Sequence, residues 1–267
     1  MRMQQWKAAA AAAVLTAAVI VPVRGAQVQV NGTMLHEEQG WIENGTSYMT
    51  LRSLSALNGY ELTWDGTYAY LNGSQLRLSA RPGNRYIEVN GRALYVENGV
   101  QVRDGKLYLP LRVLEQAVGG ELTWDAGTKT ASMDLRSAKP AQASYPSEDL
   151  YWLSRVISAE SRGEPLLGQI AVGNVVLNRV RHNHYPNTIK EVVFDRRYAV
   201  QFEPTENGTI YEEPTQSAVI AAKLCLEGAN VVDDCIYFFA PALSQGSWIV
   251  NNATYYTTIG CHRFYRE

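Results

Sequence analysis

Cysteine is scarce in this sequence, which has only Cys225, Cys235 and Cys261 among its 267 residues. So few cysteines in a chain of this length exclude a small fold held together by disulfides. One bridge with a thiol left over and three small buried apolar side chains both remain open. The spacing of the three residues does not fit a structural zinc site.

The sequence also lacks an excess of charge of either sign, with 24 Lys and Arg against 26 Asp and Glu. A chain this close to neutral is not built to hold nucleic acid or an anionic polymer by electrostatic attraction. Any polymer that it binds must be recognised by shape, hydrogen bonds and stacking. No long apolar run follows residue 23, so we predict no lasting membrane span in the mature protein.

The single apolar run, residues 8–23, follows a basic start and ends in small residues. This pattern is typical of a secretory signal peptide, which we predict over residues 1–26. Cleavage after Gly25 or Ala26 would make the protein secreted or place it at the cell wall. It would leave 21 basic against 26 acidic residues, because three basic residues are removed. A retained N-terminal anchor is the alternative.

An internal repeat fills the first half of the chain. VNGTMLHEEQGWIENGTSYMTLRSLSALNGYELTWD, at residues 30–65, matches VNGRALYVENGVQVRDGKLYLPLRVLEQAVGGELTWD, at residues 89–125. Asn-Gly pairs indicate tight hairpin turns, and each copy has one segment of helical spacing that ends in glycine. Each copy therefore predicts a β-β-α-β-β unit, and such units usually complete each other's core. We expect Trp64 and Trp124 in that core, with sugar-stacking platforms as the alternative.

The second copy carries a more specific pattern, LYLPLRVLEQAVGGELTWDAGTKTASM. This stretch resembles the copper amine oxidase N-terminal-like domain, a module repeated in secreted proteins of Gram-positive bacteria, and we assign residues 27–136 to it. The resemblance implies no copper, because His36 is the one histidine of this half and offers no ligand cluster. A spacer or wall-binding role is suggested only by the company that such domains keep.

A stretch rich in alanine, proline and serine, SAKPAQASYPSE, separates the two halves. It has no hydrophobic period, so we place a linker at residues 137–147 and a second domain at residues 148–267. Helical periodicity dominates this domain, whereas its tail is aromatic and β-branched. The predicted fold class is α+β: a tandem β-β-α-β-β domain, then a mainly α domain with a small β-rich tail.

Two predicted helices frame a candidate for chemistry in the second domain. Ser147 is expected to be the N-cap of a helix over residues 148–162, and Pro165 suits the first position of a buried second helix. Glu160 comes three residues after Ile157 and so lies on or beside the apolar face of the first helix.

A carboxyl group at the end of a helix, against apolar neighbours, is poorly solvated, and this raises its pKa towards neutral pH. Such a group can hold a proton and donate it to a glycosidic oxygen, as a general acid must. From position alone, a structural role for Glu160 is equally open. Glu164 could be its partner, or it could cap the next helix or form hydrogen bonds at the surface.

Three motifs of the second half occur in order: VISAESRGEPLLGQIAVGNVVLNRVRHNHYPNTIKEVVF, DDCIYFFAPALSQGSWI and TIGCHRFY. They closely resemble the cell-wall hydrolase family of the spore cortex-lytic enzyme type, although Ser161 and Cys261 depart from its usual residues. The resemblance covers about residues 149–267. It implies a lysozyme-like fold and, as substrate, peptidoglycan glycan strands, with the spore cortex as one source. It also implies that Glu160 acts first as acid and then as base between N-acetylmuramic acid and N-acetylglucosamine.

Within that family we favour a lytic transglycosylase reaction, because attack by the sugar's own 6-hydroxyl needs no second carboxylate. The candidate substrate-binding residues are Glu164, Gln169, Gln201, Tyr256 and His262. His262 could orient a sugar or be a hydrogen-bonded structural residue. We expect no metal and no cofactor, since His182 and His184 lack a third ligand at metal-like spacing.

Two other functions remain open. One is an amidase that cuts between muramic acid and the stem peptide, a reaction that commonly needs zinc. The other is a non-catalytic wall-binding or spore-structural protein, anchored by the duplicated half. An accessory spore or wall protein could be a partner in either case.

Overall fold

The computed structural model describes residues 27–197 and 199–267. The predicted signal peptide, residues 1–26, lies outside this part of the chain. None of the helices described is both long and apolar enough to cross a membrane. The predicted α+β class is confirmed, since strands dominate the first half and helices the second.

Residues 27–134 form thirteen short strands and two short helices. The strands are β1 (Gln27–Val30), β2 (Thr33–Met34), β3 (Gly40–Glu43), β4 (Thr46–Thr50), β5 (Glu61–Trp64), β6 (Ala69–Asn72), β7 (Arg77–Ala80), β8 (Tyr86–Val89), β9 (Arg92–Tyr95), β10 (Gln101–Arg103), β11 (Lys106–Pro110), β12 (Glu121–Asp125) and β13 (Thr130–Asp134). The helices are α1 (Leu51–Asn58) and α2 (Leu111–Val118). Two hairpins precede each helix rather than the single one predicted, because Asn44-Gly45 and Asp104-Gly105 form additional turns with positive φ.

The strands of this half form three sheets, with the orders β12-β13-β1-β2, β10-β11-β4-β3 and β5-β6-β7-β8-β9. The first strand, β1, pairs in parallel with the last, β13. In the second sheet β4 pairs antiparallel with β11. Each of these pairs joins strands from distant parts of the half, and one apolar core lies between the sheets and the two helices.

Trp64 and Trp124 do not belong to that core, so the expectation for them is wrong. Their exposed fractions are 53% and 55%. They lie on β5 and β12, and each of these strands is at the edge of its sheet. The core side of the two strands is occupied instead by Leu62 and Leu122, which pack partly buried against the apolar cluster.

The second half is mainly helical, and residues 135–146 before it contain neither helix nor strand. Its helices are α3 (Ser147–Ser161), α4 (Leu166–Arg181), α5 (Ile189–Val193), α6 (Pro204–Asn207), α7 (Gln216–Leu226) and α8 (Ser247–Asn252). Its strands, β14 (Tyr237–Phe239), β15 (Thr254–Ile259) and β16 (His262–Arg266), form a sheet with β16 in the centre. The predicted helix starts shift by one residue, since Ser147 begins α3 and Pro165 precedes α4.

Helix α4 is buried on nearly all sides, as predicted, and packs against α3 and α7. Gly173 permits this packing. A Cβ atom at that position would lie 2.7 Å from Cys225 Sγ and 2.8 Å from Ile157 Cδ1. A larger residue would therefore force α3 and α7 away from α4.

All three cysteines are free thiols. Cys225 and Cys235 are buried, so the expectation of small buried side chains is confirmed for these two. It is wrong for Cys261, which is exposed in the turn between β15 and β16.

A bidentate ion pair joins the two halves of the chain. The guanidinium of Arg92 on β9 donates to both carboxylate oxygens of Glu227, which follows α7, at 2.9 and 2.7 Å. The two side chains are only 12% and 13% exposed. Next to the ion pair, Ala93 is buried in the apolar core of the helical half, and Tyr86 and Tyr95 pack against the same core.

We expect Arg92→Ala to lower the free energy of unfolding by about 3 kcal/mol, because it leaves the largely buried Glu227 carboxylate unpaired. Urea denaturation followed by fluorescence measures the change. Lys106→Ala is the control, since it breaks an ion pair with the exposed Glu38 and should have little effect. Equal losses in the two variants would contradict a structural role for the ion pair between the halves.

Candidate active site

Glu160 lies in the last turn of α3, one residue before the helix ends. The buried face of the helix carries Leu153, Val156 and Ile157, and this spacing leaves Glu160 at the rim of the apolar core. The residue is partly buried. Within the described ranges its carboxyl group has neither a hydrogen-bond nor an ion-pair partner, so it is free to meet a ligand.

Burial raises the pKa of the Glu160 carboxyl group to about 7. The negative charge of Glu203 adds to the rise, and the positive charge of Arg179 opposes it. The direction is the one expected for a poorly solvated carboxyl at the end of a helix. At neutral pH the acid and the carboxylate are therefore present in comparable amounts, which suits a group that must both give and take a proton.

Arg179 provides a fixed positive charge beside this carboxyl group. It extends from α4 and is buried, and its Nε donates to the carbonyl of Ile236 at 2.8 Å. Its guanidinium lies 5.1 Å from the ring of Tyr185 and 5.3 Å from the ring of Phe202. Its Nη1 has no partner among the described residues. Burial lowers the pKa of Arg179, but a guanidinium remains charged at physiological pH.

Two tyrosines border the guanidinium of Arg179. Tyr185 follows α4, and Tyr237 is the first residue of β14. Burial raises the pKa of Tyr185 to about 12, and the neighbouring Tyr237 adds to the rise. The Tyr185 hydroxyl group is therefore protonated at neutral pH and can act as a hydrogen-bond donor.

A second carboxylate near Glu160 was not found from the sequence. Glu203 is exposed and precedes α6. Its neighbour Phe202 is buried and fixes the position of this segment. The charge of Glu203 raises the pKa of the Glu160 carboxyl group. Gln201 belongs to the same segment, where its Nε2 donates locally to the carbonyl of Ala199 at 3.1 Å. Gln201 therefore lies two residues before Glu203, whose charge raises the pKa of the Glu160 carboxyl group.

The structure brings three of the predicted binding residues together in a separate cluster: Glu164, Gln169 and His262. Glu164 Oε2 accepts the backbone N–H of Cys261 at 2.9 Å, and His262 Nδ1 lies 4.0 Å from it. Gln169 is buried and donates to the carbonyl of Glu164 at 2.9 Å. Burial lowers the pKa of His262, and the Glu164 charge opposes this. We call this set the Glu164 cluster.

The Glu164 cluster ties the start of α4 to the turn between β15 and β16. Glu164 does not cap α4, because no side chain accepts the first N–H groups of that helix. Gly260 in the turn has φ of +58°, and a Cβ atom there would lie 1.7 Å from Glu164 Oε2. Only glycine allows this approach. Gln169 Oε1 and His262 Nδ1 are buried and have no hydrogen-bond partner among the described residues.

Tyr256 lies apart from both groups. It is exposed on β15, with the guanidinium of Arg266 4.2 Å from its ring. It lines a cleft of about 1050 Å³ between the two halves, together with Arg112, Glu227 and Asn230. Glu160 is not among the residues that line this cleft.

The structure corrects the expectation that His182 and His184 lack a third metal-ligating neighbour. Glu267 lies beside both of them, and one ligand atom from each of the three side chains lies within 4.8 Å of the others. The sequence could not show this, because β16 brings Glu267 back to the end of α4 from 85 residues away. Among the described residues, these three side chains together could hold a metal ion.

Comparisons with known families divide the chain in two. Residues 29–133 match the copper amine oxidase N-terminal domain. Residues 163–265 match the Cell Wall Hydrolase family. The second match begins three residues after Glu160, so the role of that residue is not part of it.

The names of similar proteins agree with the match to the Cell Wall Hydrolase family. A cell wall hydrolase, CwlJ, from Halalkalibacterium halodurans is 31% identical over 101 residues, which are 36% of this chain and 69% of that protein. The chain belongs to the cell wall hydrolase family. A spore cortex-lytic enzyme from Bacillus cereus is 35% identical over 105 residues, and these are 39% of each protein. This member of the family therefore spans about two fifths of the length of that relative.

Solved structures also include similar proteins. The catalytic domain of the germination-specific lytic transglycosylase SleB from Bacillus anthracis is 32% identical, with a TM-score of 0.43. The match covers 47% of this cell wall hydrolase family member and 100% of that domain.

The raised pKa of Glu160 predicts a pH-dependent effect on stability. The native carboxyl group binds its proton more tightly than the unfolded one, so the wild type loses stability as pH rises from about 4.5 to about 7. Glu160→Gln removes this loss. We expect the variant to be more stable than the wild type by up to about 3 kcal/mol at pH 8 and by little near pH 4.5. Urea denaturation at both pH values measures the difference, and an equal difference at both would contradict the raised pKa.

Proposed function

We propose that the second half of this chain cleaves the glycan strand of peptidoglycan, with Glu160 as general acid and then general base. The observation that carries the proposal is the Glu160 carboxyl group, which has a pKa near neutrality and no partner among the described residues. Relatives with the names cell wall hydrolase and spore cortex-lytic enzyme support this class of substrate.

The reaction uses one proton twice. Protonated Glu160 gives its proton to the oxygen between N-acetylmuramic acid and N-acetylglucosamine as the bond from that oxygen to C1 breaks. The resulting carboxylate then accepts the proton of the muramic acid 6-hydroxyl as this oxygen attacks C1. The product is a 1,6-anhydro sugar, and Glu160 is protonated again. A tethered hydroxyl is already in place, so this route needs no second carboxylate.

Arg179 is the second group that we assign to the site. Its Nε is held by the carbonyl of Ile236 and its guanidinium is buried, so it acts on Glu160 through its charge and not by contact with the glycan. A fixed positive charge in a partly desolvated site stabilises the Glu160 carboxylate that forms when the proton is given up. The positive charge also keeps the pKa of Glu160 from rising further.

The predicted binding residues take different parts in this proposal. Gln201 binds the glycan from the segment that carries Glu203. The Glu164 cluster is largely buried, and its role is to hold the turn between β15 and β16 against α4. Tyr256 contacts peptidoglycan in the cleft between the halves, where its ring is exposed.

Glu203 supports a hydrolytic variant of the same reaction. Its charge acts on Glu160, as expected for the second carboxylate of a glycosidase that activates water. In that variant water replaces the 6-hydroxyl, and the product has a reducing end in place of an anhydro sugar. The intramolecular route remains our preferred one, because it depends on Glu160 alone.

The domain organisation belongs to the same proposal. A signal peptide, residues 1–26, directs export, and residues 27–136 form a duplicated copper amine oxidase N-terminal-like domain. A linker at residues 137–147 leads to a lysozyme-like domain at residues 148–267. The site of action is the cell wall or the spore cortex, and the first half binds the wall beside the cleavage site.

Mass spectrometry of muropeptides released from purified cortex and from vegetative peptidoglycan tests the reaction. We expect anhydro-muropeptides from the wild type, and Glu160→Gln should reduce their release by a factor of about 100 or more. Glu206→Gln is the matched control, since Glu206 is an exposed carboxylate near Arg196, at 3.9 Å, and should retain activity.

Other products would change the conclusion. New free amino termini on intact glycan strands would indicate the amidase reaction. A metal ion for that reaction could be held by His182, His184 and Glu267. Binding of peptidoglycan without release by the wild type would indicate a non-catalytic wall protein. Unchanged release by Glu160→Gln would exclude the mechanism.

The pH dependence separates the two roles of Glu203. Because the protonated form of Glu160 starts the reaction, kcat/KM should fall as pH rises through about 7. Glu203→Gln removes a negative charge and should move this fall to lower pH, with release at pH 5 retained. If Glu203 activates water instead, the same variant should lose activity at every pH by a factor of about 100.

A further inference from the structure

Three side chains with metal-ligating atoms meet where α4 ends. His182 is the residue after α4, His184 lies two residues further on, and Glu267 follows β16. His182 Nε2 lies 3.0 Å from Glu267 Oε2, and His184 Nδ1 lies 3.5 Å from Glu267 Oε1. The two segments that supply these groups are 85 residues apart in the chain.

Two of the separations fit the coordination shell of a small divalent cation. Zinc binds imidazole nitrogen and carboxylate oxygen at about 2.0–2.2 Å, so neighbouring ligand atoms lie about 3.4 Å apart in a tetrahedral shell and about 3.0 Å apart in an octahedral one. The two nitrogen-to-oxygen distances, 3.0 and 3.5 Å, correspond to these values, although they end at different oxygens of Glu267. One ligand atom from each of the three residues lies within 4.8 Å of the others, so the group must contract to bind a cation. The exposed side chain of His184 can adjust its position.

The donor set selects a chemical class of cation. Two imidazoles and one carboxylate suit zinc, cobalt and nickel, whereas calcium and magnesium prefer shells made of oxygen. Three protein ligands leave at least one coordination position for water. The partial exposure of His182 and the exposure of the other two side chains give a cation access from solvent.

We propose that His182, His184 and Glu267 bind one divalent transition-metal cation of the zinc class. The bound cation links the end of α4 to the end of β16. Binding at His182 Nε2 requires the ring proton to be on Nδ1, so the weak hydrogen bond from the His184 N–H to Nδ1, 3.3 Å long, is given up. The proposal depends on these three side chains and not on the glycan chemistry of Glu160.

The bound cation would stabilise one side of the candidate active site. The N–H of Tyr185 donates to the carbonyl of His182 at 3.0 Å, which closes a tight turn after α4. The ring of Tyr185 lies 5.8 Å from the ring of His182 on one side and 5.1 Å from the Arg179 guanidinium on the other. A cation on His182 therefore fixes the turn that positions Tyr185 against Arg179.

Calorimetric titration of the untagged full chain, first stripped with a chelator, tests the proposal. We expect one Zn²⁺ and one Co²⁺ bound per chain, a higher melting temperature with either ion, and visible absorption from bound Co²⁺. Mg²⁺ and Ca²⁺ should leave the melting temperature unchanged. An ion pair between protonated histidines and Glu267 would also explain the contacts, and it predicts no saturable binding of either transition metal.

Single variants locate the site. His184→Ala and Glu267→Gln should each weaken Co²⁺ binding at least about ten-fold, and circular dichroism confirms that each variant is folded. His36→Ala removes an exposed histidine of the first half, and Cys261→Ser removes the exposed thiol. Both controls should retain binding. Binding that survives His184→Ala, or that is lost in Cys261→Ser, would overturn the assignment.

Discussion

The partial exclusion of water from one carboxyl group is the constraint on which the function proposed for the helical half depends. Glu160 is at the rim of a core that exists because α3, α4 and α7 pack closely, and this packing depends on the absence of a side chain at Gly173. The same packing keeps the pKa of Glu160 near neutrality. In the proposed reaction, stability and chemistry therefore oppose each other at this residue, because the desolvation that keeps the acid protonated also disfavours its charged form.

Two charges set the balance around that carboxyl group, and the fold holds each by a different means. Arg179 is fixed within the core by its bond to the Ile236 carbonyl and by flanking aromatic rings. Glu203 remains in solvent, on a segment anchored by the buried Phe202. The buried charge is therefore constant, whereas the exposed one is screened by salt and open to a bound ligand. In the proposed function, a substrate that covers Glu203 would change the electrostatic potential at Glu160.

Local features of the fold could be predicted from the sequence, and features that depend on tertiary contacts could not. The Asn-Gly turns, the glycine helix stops and the buried second helix follow from chemistry within a few residues. Trp64 and Trp124 were misplaced because edge position in a sheet is set by strand order, which hydrophobic patterning does not reveal. Glu160 could be found from its place beside an apolar face, whereas Arg179 is one of several polar residues in α4 and its burial does not show in the sequence. The approach of Glu203 to Glu160 has no counterpart in local sequence.

The parallel pairing of β1 with β13 has a consequence for how the first half is assembled. Gln27 is opposite Thr130 in this pair. One edge of β1 therefore stays unpaired until β13, the last strand of this half, has been synthesised. Contacts between such distant residues form slowly, since a long loop must close first. In a chain that ends before β13, one edge of β1 is unpaired and can pair with strands of other molecules, which promotes aggregation. The first half can therefore be completed only after β13 has been synthesised, whereas its hairpins can form earlier.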